Sequence, residues 1–546
     1  MTGNDTLWYK DAIFYEVHVR AFCDGDADGR GDLRGLISKL DYLKDLGVDC
    51  IWLLPIYPSP LKDDGYDISD YYNIAPAYGT VDDFRTLLDQ SHARGLHVIM
   101  DLVLNHTSDQ HPWFQAARAD RSSPYRDYYV WSDTNQKYSG ARIIFLDSEK
   151  SNWTWDENAG QYFWHRFYSC QPDLNYDNPA VRAEMINVMR FWLKMGIDGF
   201  RADAVPYLFE RESTNCENLP ETHAYLKEIR RALDQEFPGR ILLAEANQWP
   251  EDTRAYFGDG DEFHMGFHFP VMPRIYMALR QADRTPLVWI LGRTPPIPDN
   301  CQWCTFLRNH DELTLEMVTE EERKWMWQEY APEPRMRLNL GIRRRLAPLL
   351  DDDRRKIELA NSLLFTLPGS SILYYGDEIG MGDNIWLPDR NGLRTPMQWT
   401  SAVNAGFSSA APKSLYLPVI DNSVYGPAHI NVADERAHPD SLLNSLRHMI
   451  AVRKEHPAFG RGSFTWVECE SLAVAAYLRQ YQDERVLVVN NLSGKPQKVA
   501  LKLPFGAAQL EDLLGGQPLP AAEGGTLLLE LKPYQYLWMG RQSSAA

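Results

Sequence analysis

The chain has 546 residues, too many for one hydrophobic core, and at 44% hydrophobic and 24% charged it has the composition of two or three packed globular domains. Its net charge of −19 argues against nucleic acid or an anionic membrane as partner, and no apolar run approaches the length of a membrane span. Seventeen tryptophans and 28 tyrosines either fill a large core or stack on flat, polyhydroxylated ligands.

The start, "MTGNDTLWYKDAIFYE", lacks the charged-then-apolar pattern of a secretory signal. The seven cysteines are scattered without a disulfide-framework spacing, so the expectation is reduced thiols in a cytoplasm. Cys301 and Cys304 form a lone C-x-x-C, read as two core thiols and not as a metal or redox site.

From the N-terminus, the apolar run "AIFYEVHVRAF" reads as a first strand, and Leu33, Leu36, Ile37, Leu40, Leu43 and Leu46 mark one face of the following helix. Between them "DGDADGRGD" (24–32) puts Asp24, Asp26, Asp28, the Arg30 carbonyl and Asp32 at positions 1, 3, 5, 7 and 9 of a calcium loop. Residue 35 is glycine where an EF-hand has glutamate, so a full EF-hand is excluded. A shorter calcium loop, or magnesium keeping some waters, is expected. "CIWLLPI", the helix "VDDFRTLLDQSHARG" and "HVIMDLVL" follow. After a long interruption come the helix "PAVRAEMINVMRFWLKMG", the strand "GFRADAV", the helix "THAYLKEIRRALDQEF" and the strand "ILLAEA". "FHFPV", "CTFLRN" and "SILYYGDE" complete eight nearly continuous apolar runs, the mark of parallel strands covered on both faces. The expected fold is α/β: a (β/α)₈ barrel (1–104 and 179–459) with a small inserted domain after strand three (105–178), a charged insertion at 312–350, and a C-terminal antiparallel β-sandwich (460–546). No Gly-rich dinucleotide turn follows the first strand, and no organic cofactor is expected.

In such a barrel, acidic groups at strand C-terminal ends converge at one mouth. Strand three ends in Asp101 and then Asn105-His106. Strand four carries Arg201 and Asp203, strand five ends in Glu245, and strand seven ends in His310-Asp311. Asp203, Glu245 and Asp311 are the minimum set for a retaining glycosidic reaction, which needs one ionised carboxylate as nucleophile and one protonated carboxyl as acid. Arg201, on the face of Asp203, is expected to hold that nucleophile anionic by lowering its pKa.

"DLVLNH" (101–106), "GFRADAV" (199–205), "LLAEAN" (242–247) and "LRNHDE" (307–312) resemble, in order, the four signature regions of the α-amylase superfamily. "QPDLNY" (171–176) resembles the extra motif of its oligo-1,6-glucosidase-like branch. The resemblance covers essentially the whole chain and implies Asp203 as nucleophile, Glu245 as acid/base and Asp311 as the transition-state stabiliser, with His106, Arg201 and His310 around the reacting sugar. The stretches "KDDGYDISDYYNI" (62–74), "GDEIGMGDNIWLPDRNGLRTPMQW" (376–399) and the insertion running into "GIRRRLAPLLDDDRRKIELANSLLF" resemble the branch that interconverts maltose and trehalose. The resemblance implies a pocket floor of Asp63, Tyr66 and Arg394, with Gln171 also touching substrate, and a closed site for one glucosyl unit with leakage of glucose as side reaction. It also implies a second calcium, held by Asn105, Asp173, the Tyr207 and Leu208 carbonyls and Glu210, that clamps the inserted domain to the barrel. The expected partner is a small disaccharide, with a homo-oligomer left open.

An α-glucosidase acting on short oligosaccharides, or a sucrose-type isomerase, would carry the same three carboxylates. Water access separates them, and aromatic groups of 105–178 and of 312–350 are the expected lids. A non-catalytic amylase-like ectodomain would lack catalytic carboxylates and carry a membrane span, and this sequence has the carboxylates and no span.

Overall fold

In the computed structural model, residues 6–503, 510–517, 522 and 524–541 are described. Eight strands close into a barrel: β1 (Ile13–Val17), β2 (Cys50–Leu53), β3 (His97–Val103), β4 (Gly199–Asp203), β5 (Ile241–Ala244), β6 (Met265–Phe267), β7 (Gln302–Phe306) and β8 (Ser370–Tyr374). Each pairs in parallel with its neighbours in sequence, and β1 closes the ring against β8. The strands are buried along nearly their whole length, which is why they read as continuous apolar runs and not as alternating ones. The chain leaves β4's predecessor helix, Pro179–Met195, through Gly196 in the left-handed conformation, a common helix exit. Gly199 opens β4 at φ +151°, and a Cβ there would lie 2.2 Å from the Ile241 carbonyl oxygen, so the approach of β5 requires glycine.

Two sequence expectations shift. The leucine-rich stretch after β1 is two helices, Leu33–Ile37 and Leu40–Leu46, separated where the Ser38 hydroxyl bonds back to the Gly35 carbonyl at 2.6 Å. The sixth strand lies at 265–267 and not at 267–271, because Pro270 leads into the helix Val271–Gln281. Its last pairing bond is His268 N–H to the Cys304 carbonyl, 2.8 Å.

Three sections leave the barrel. Between β3 and β4, residues 105–178 carry the helix Pro112–Ala119 and a three-stranded antiparallel sheet, Trp131–Ser132, Gln161–Trp164 and Trp153–Asp156. A bridge between His106 and Asp173 ties the two ends of that section together. Between β7 and β8, residues 312–350 hold the helix Glu320–Tyr330, started by a Thr319/Glu322 capping box, and a hairpin of Arg337–Leu338 with Gly341–Ile342. At the C-terminal end, a five-stranded antiparallel sheet faces a pair formed by Gln497–Lys502 and Thr526–Leu531. Strand Val474–Tyr481 alternates: Val474, Ala476 and Leu478 enter the core between the sheets, while Ala475 and Tyr477 face the barrel. There the Tyr477 hydroxyl bonds Thr366 at 2.6 Å and Trp538 Nε1 donates to Ser362 at 2.9 Å, seating the sandwich on the helix Arg354–Thr366. Among the described residues no helix is long and apolar enough to cross a membrane.

Candidate active site

The strand alternation of β4 puts Arg201 and Asp203 on one face, and the register sets Asp101 of β3 beside Arg201. Arg201 Nη1 donates to Asp203 Oδ1 at 2.7 Å and to Asp101 Oδ1 at 2.5 Å, and Nη2 pairs with Glu245 Oε1. Its guanidinium also lies over the Trp52 and Tyr66 rings, 5.3 and 5.7 Å from their centroids. Ala204, directly after Asp203, sits in the left-handed region at φ +53°, and its N–H donates to Glu245 Oε2 at 3.2 Å. Burial lifts Asp203 well above the usual carboxylate range; Arg201 opposes this, and the Glu245 and Asp101 carboxylates add to the rise. The expectation that Arg201 lowers Asp203 is corrected: its pull is real but outweighed. Asp203 is thus held toward its protonated form beside the Glu245 carboxylate, which shares the Arg201 guanidinium with it.

On the opposite side of the mouth, His310 Nδ1 pairs with Glu16 of β1 at 2.5 Å, and Nε2 meets Tyr66 Oη at 2.9 Å and Asp311 Oδ2 at 3.2 Å. The Tyr66 ring stacks on the imidazole at 5.4 Å. Burial opposes protonation, yet the Asp311 and Glu16 carboxylates raise His310 to about 10, so it is an imidazolium near neutral pH. Asp311 Oδ1 receives Arg394 Nη2 at 3.0 Å and Arg390 Nε at 2.9 Å. Burial works against its ionisation, but His310, Arg390 and Arg394 together hold its carboxyl well below the usual range. Asp311 is therefore a fixed anion, unlike Asp203 across from it, whose carboxyl is raised.

Of the expected pocket-floor residues, Arg394 pairs with Asp64, the neighbour of Asp63. Its Nη1 goes to Asp64 Oδ2 at 2.9 Å, and Asp64 is also held by His18 and by Arg20, each at 2.9 Å. Asp63 instead accepts Gln171 Nε2 at 2.8 Å, and burial pushes it up to about 7 against the pull of Arg390 and Arg394.

A cavity of about 130 Å³ occupies the mouth, below the ~300–1,000 Å³ usual for drug-sized ligands. Asp63, Tyr66, His106, Asp203, Glu245 and Asp311 line it, as expected site residues should. Arg201, His310, Arg394 and Gln171 are absent from the lining and act from behind it, Gln171 through Asp63 and not on the cavity itself. Burial drops the His106 imidazole to about 3, so it is neutral. Ile144, Phe145 and Phe167 of the first insertion form one wall; Glu312, Thr314, Glu316 and Asn339 of the second form another. The two insertions join beside the cavity: Arg142 Nη1 bonds Glu316 at 2.9 Å, and Asn339 N–H donates to Asp147 at 2.8 Å. Sequence reasoning missed Glu16, Asp64 and Arg390. A glutamate inside the apolar strand "IFYEV" was the same signal that singled out Arg201; Arg390 sits in a loop with only Arg394 near it in sequence, and no such signal exists for it.

The residues named for metals fall into two groups. Asp24, Asp26 and Asp28 bring carboxylate oxygens within 4.8 Å of one another on an exposed loop, where Asp24 accepts the Ala27 and Gly29 N–H groups. The structure gives Asp32 another task, since its two oxygens accept Gly25 and Gly35 N–H and cap the helix Leu33–Ile37. The Arg30 side chain turns back toward Asp28, 3.5 Å away. The second group is buried: one side-chain oxygen each of Asn105, Asp173 and Glu210 has no hydrogen-bond partner. Burial raises Asp173 to about 8 and lifts Glu210 well above its usual range, with Asp173 adding to the latter. Three orphaned, hard oxygen donors in one buried place fit a calcium-type cation, which would cancel the cost of that arrangement.

Two family models match the chain: alpha amylase, catalytic domain, over residues 16–462, and maltogenic amylase, C-terminal domain, over 464–538. The chain is 62% identical over 542 residues to a trehalose synthase/amylase of Mycobacterium tuberculosis (strain ATCC 25618 / H37Rv), covering 98% of this chain and 90% of that protein. It is 54% identical over 545 residues to a trehalose synthase of Thermus thermophilus, covering 97% of this chain and 56% of that one. Among solved structures it is similar to an isomaltulose synthase from Klebsiella sp. LX3, with a TM-score of 0.77 at 29% identity, covering 98% of this chain and 99% of that one.

Proposed function

The chain belongs to the α-amylase family, and from that premise we propose that its pocket interconverts maltose and trehalose by retaining, intramolecular glucosyl transfer. Asp203 attacks the anomeric carbon of maltose; the bond to the 4-oxygen breaks, its electron pair stays on that oxygen, and Glu245 supplies the proton. A glucosyl ester on Asp203 remains beside a free glucose. That glucose turns over, Glu245 takes the proton of its anomeric hydroxyl, and the oxygen displaces Asp203 with the α configuration restored. Asp203 and Glu245 both pair with the Arg201 guanidinium and line the same cavity, so nucleophile and acid face one glucosyl site, as a retaining reaction requires. Asp311, locked as an anion by His310, Arg390 and Arg394, offers fixed charge to the sugar hydroxyls and to the positive charge that develops at the ring.

The hydrolase reading differs only in who attacks the ester. The observation that carries the isomerase reading is the pair of contacts, Arg142–Glu316 and Asp147–Asn339, by which the two insertions meet at the cavity wall and limit water. Trehalose synthases among the relatives, at 54–62% identity, support the same choice. The test is product analysis after incubation with maltose alone. Trehalose in large excess over glucose is expected; glucose with little trehalose would move the assignment to an α-glucosidase.

We further propose a calcium at Asn105, Asp173 and Glu210, completed by the Tyr207 and Leu208 carbonyls, and a weaker calcium or magnesium at Asp24, Asp26 and Asp28. The ion's contribution at the buried group is charge neutralisation, holding the 105–178 section against the barrel. Prolonged chelation is expected to lower the thermal midpoint by several degrees and added calcium to restore it, since a ligand at a thousandfold excess over Kd stabilises by ~4 kcal/mol. An unmoved midpoint sinks the proposal. A cytoplasmic setting is our reading of the seven free thiols.

A further inference from the structure

We propose that Arg390 is the residue that makes retention of the displaced glucose possible, by tying both insertions to the catalytic carboxylate Asp311; this rests on the isomerase reading above. Among the described residues lining the cavity there are six carboxylates and one cation, Arg390. The side chain is buried, and its Nε is shared between Asp311 Oδ1 at 2.9 Å and Glu312 Oε2 at 2.7 Å. Glu312 in turn accepts Asn339 Nδ2 at 3.1 Å, and Asn339 is the residue that holds Asp147 of the other insertion. The guanidinium lies over the Phe145 ring, 5.1 Å from its centroid, and Tyr168 interacts with it as well. One planar group thus touches the carboxylate that grips the transferred sugar, the 312–350 wall through Glu312, and the 105–178 wall through Phe145 and Tyr168.

A lysine ammonium keeps the charge but cannot span these partners, because it lacks the planar fork and its stacking face. The consequence is specific to the second half of the reaction. Forming the glucosyl ester needs Asp203, Glu245 and an anionic Asp311, and Arg394 and His310 still hold Asp311 when Arg390 is replaced. Holding a loose glucose while it turns needs the walls in place, and that is where Arg390 is the shared anchor.

The test compares Arg390→Lys with wild type on two substrates. With maltose, trehalose and glucose are quantified; with 4-nitrophenyl α-glucoside, release of nitrophenol reports ester formation with a leaving group that need not be kept. Both activities are expected to fall, isomerisation at least tenfold further than aryl-glucoside cleavage, with the trehalose-to-glucose ratio falling about tenfold. Phe145→Leu, which removes the stacking ring and leaves every charge, is expected to move the ratio in the same direction. Equal losses on both substrates, or an unchanged ratio in both variants, would overturn the inference. Wild-type protein that makes glucose and little trehalose would instead overturn the isomerase reading itself, so the two failures are distinguishable.

Discussion

Asp203→Asn is expected to reduce turnover of maltose by a factor on the order of 10⁴ or more, with both trehalose and glucose lost together. Every route to product passes through the ester on this carboxylate, so isomerisation and hydrolysis share the loss. The amide is a poor nucleophile and cannot stabilise the developing positive charge. The fold is expected to survive, for a reason visible in the charges. Arg201 faces three carboxylates, Asp101, Asp203 and Glu245, and the substitution removes one negative charge from a buried cluster that already has an excess of them. Asp101 and Glu245 still satisfy the guanidinium, so no uncompensated cation is left. The measurement is kcat on maltose with both products quantified, alongside the thermal midpoint. A well-folded variant that still turns over maltose would show that the first bond is made elsewhere.

Much of this site was legible in the sequence because charge inside an apolar strand is costly and therefore conspicuous. Arg201, Asp203 and Glu245 announced themselves in that way, and their meeting at one mouth followed from the barrel geometry. The rest escaped for definite reasons. The Arg394 partner is Asp64, in a turn where Asp64 has φ +48°, and the sequence did not mark this aspartate as part of the site. The upward shift of Asp203 comes first from its burial and then from the neighbouring Glu245 and Asp101 carboxylates, a surrounding that only the assembled barrel mouth provides. The sixth strand was misplaced because "FHFPV" is apolar on both sides of the true strand end, and a proline before a helix looks like a proline after a strand. Arg390 is a loop arginine with nothing in the sequence to mark it until the fold places it against Asp311.

Glu245→Gln is expected to split the two half-reactions in a way that Asp203→Asn cannot. On maltose the departing 4-oxygen of glucose needs a proton, so loss of the acid should lower turnover by roughly 10²–10⁴-fold. A substrate whose leaving group is stable as an anion, such as 4-nitrophenyl α-glucoside, needs no proton to form the ester and should lose far less in that step. The ester then accumulates, because no base remains to activate the incoming hydroxyl. Azide, an anion that needs no deprotonation and no longer meets a second carboxylate, should restore turnover and give an α-glucosyl azide. The pH profile provides an independent check with a defined sign. The Glu245 carboxylate is also one of the causes that raise Asp203, so its removal should move the acid limb, where Asp203 becomes protonated, to lower pH. Equal losses on both substrates, with no rescue by azide, would mean that Glu245 orders the site and does not transfer the proton.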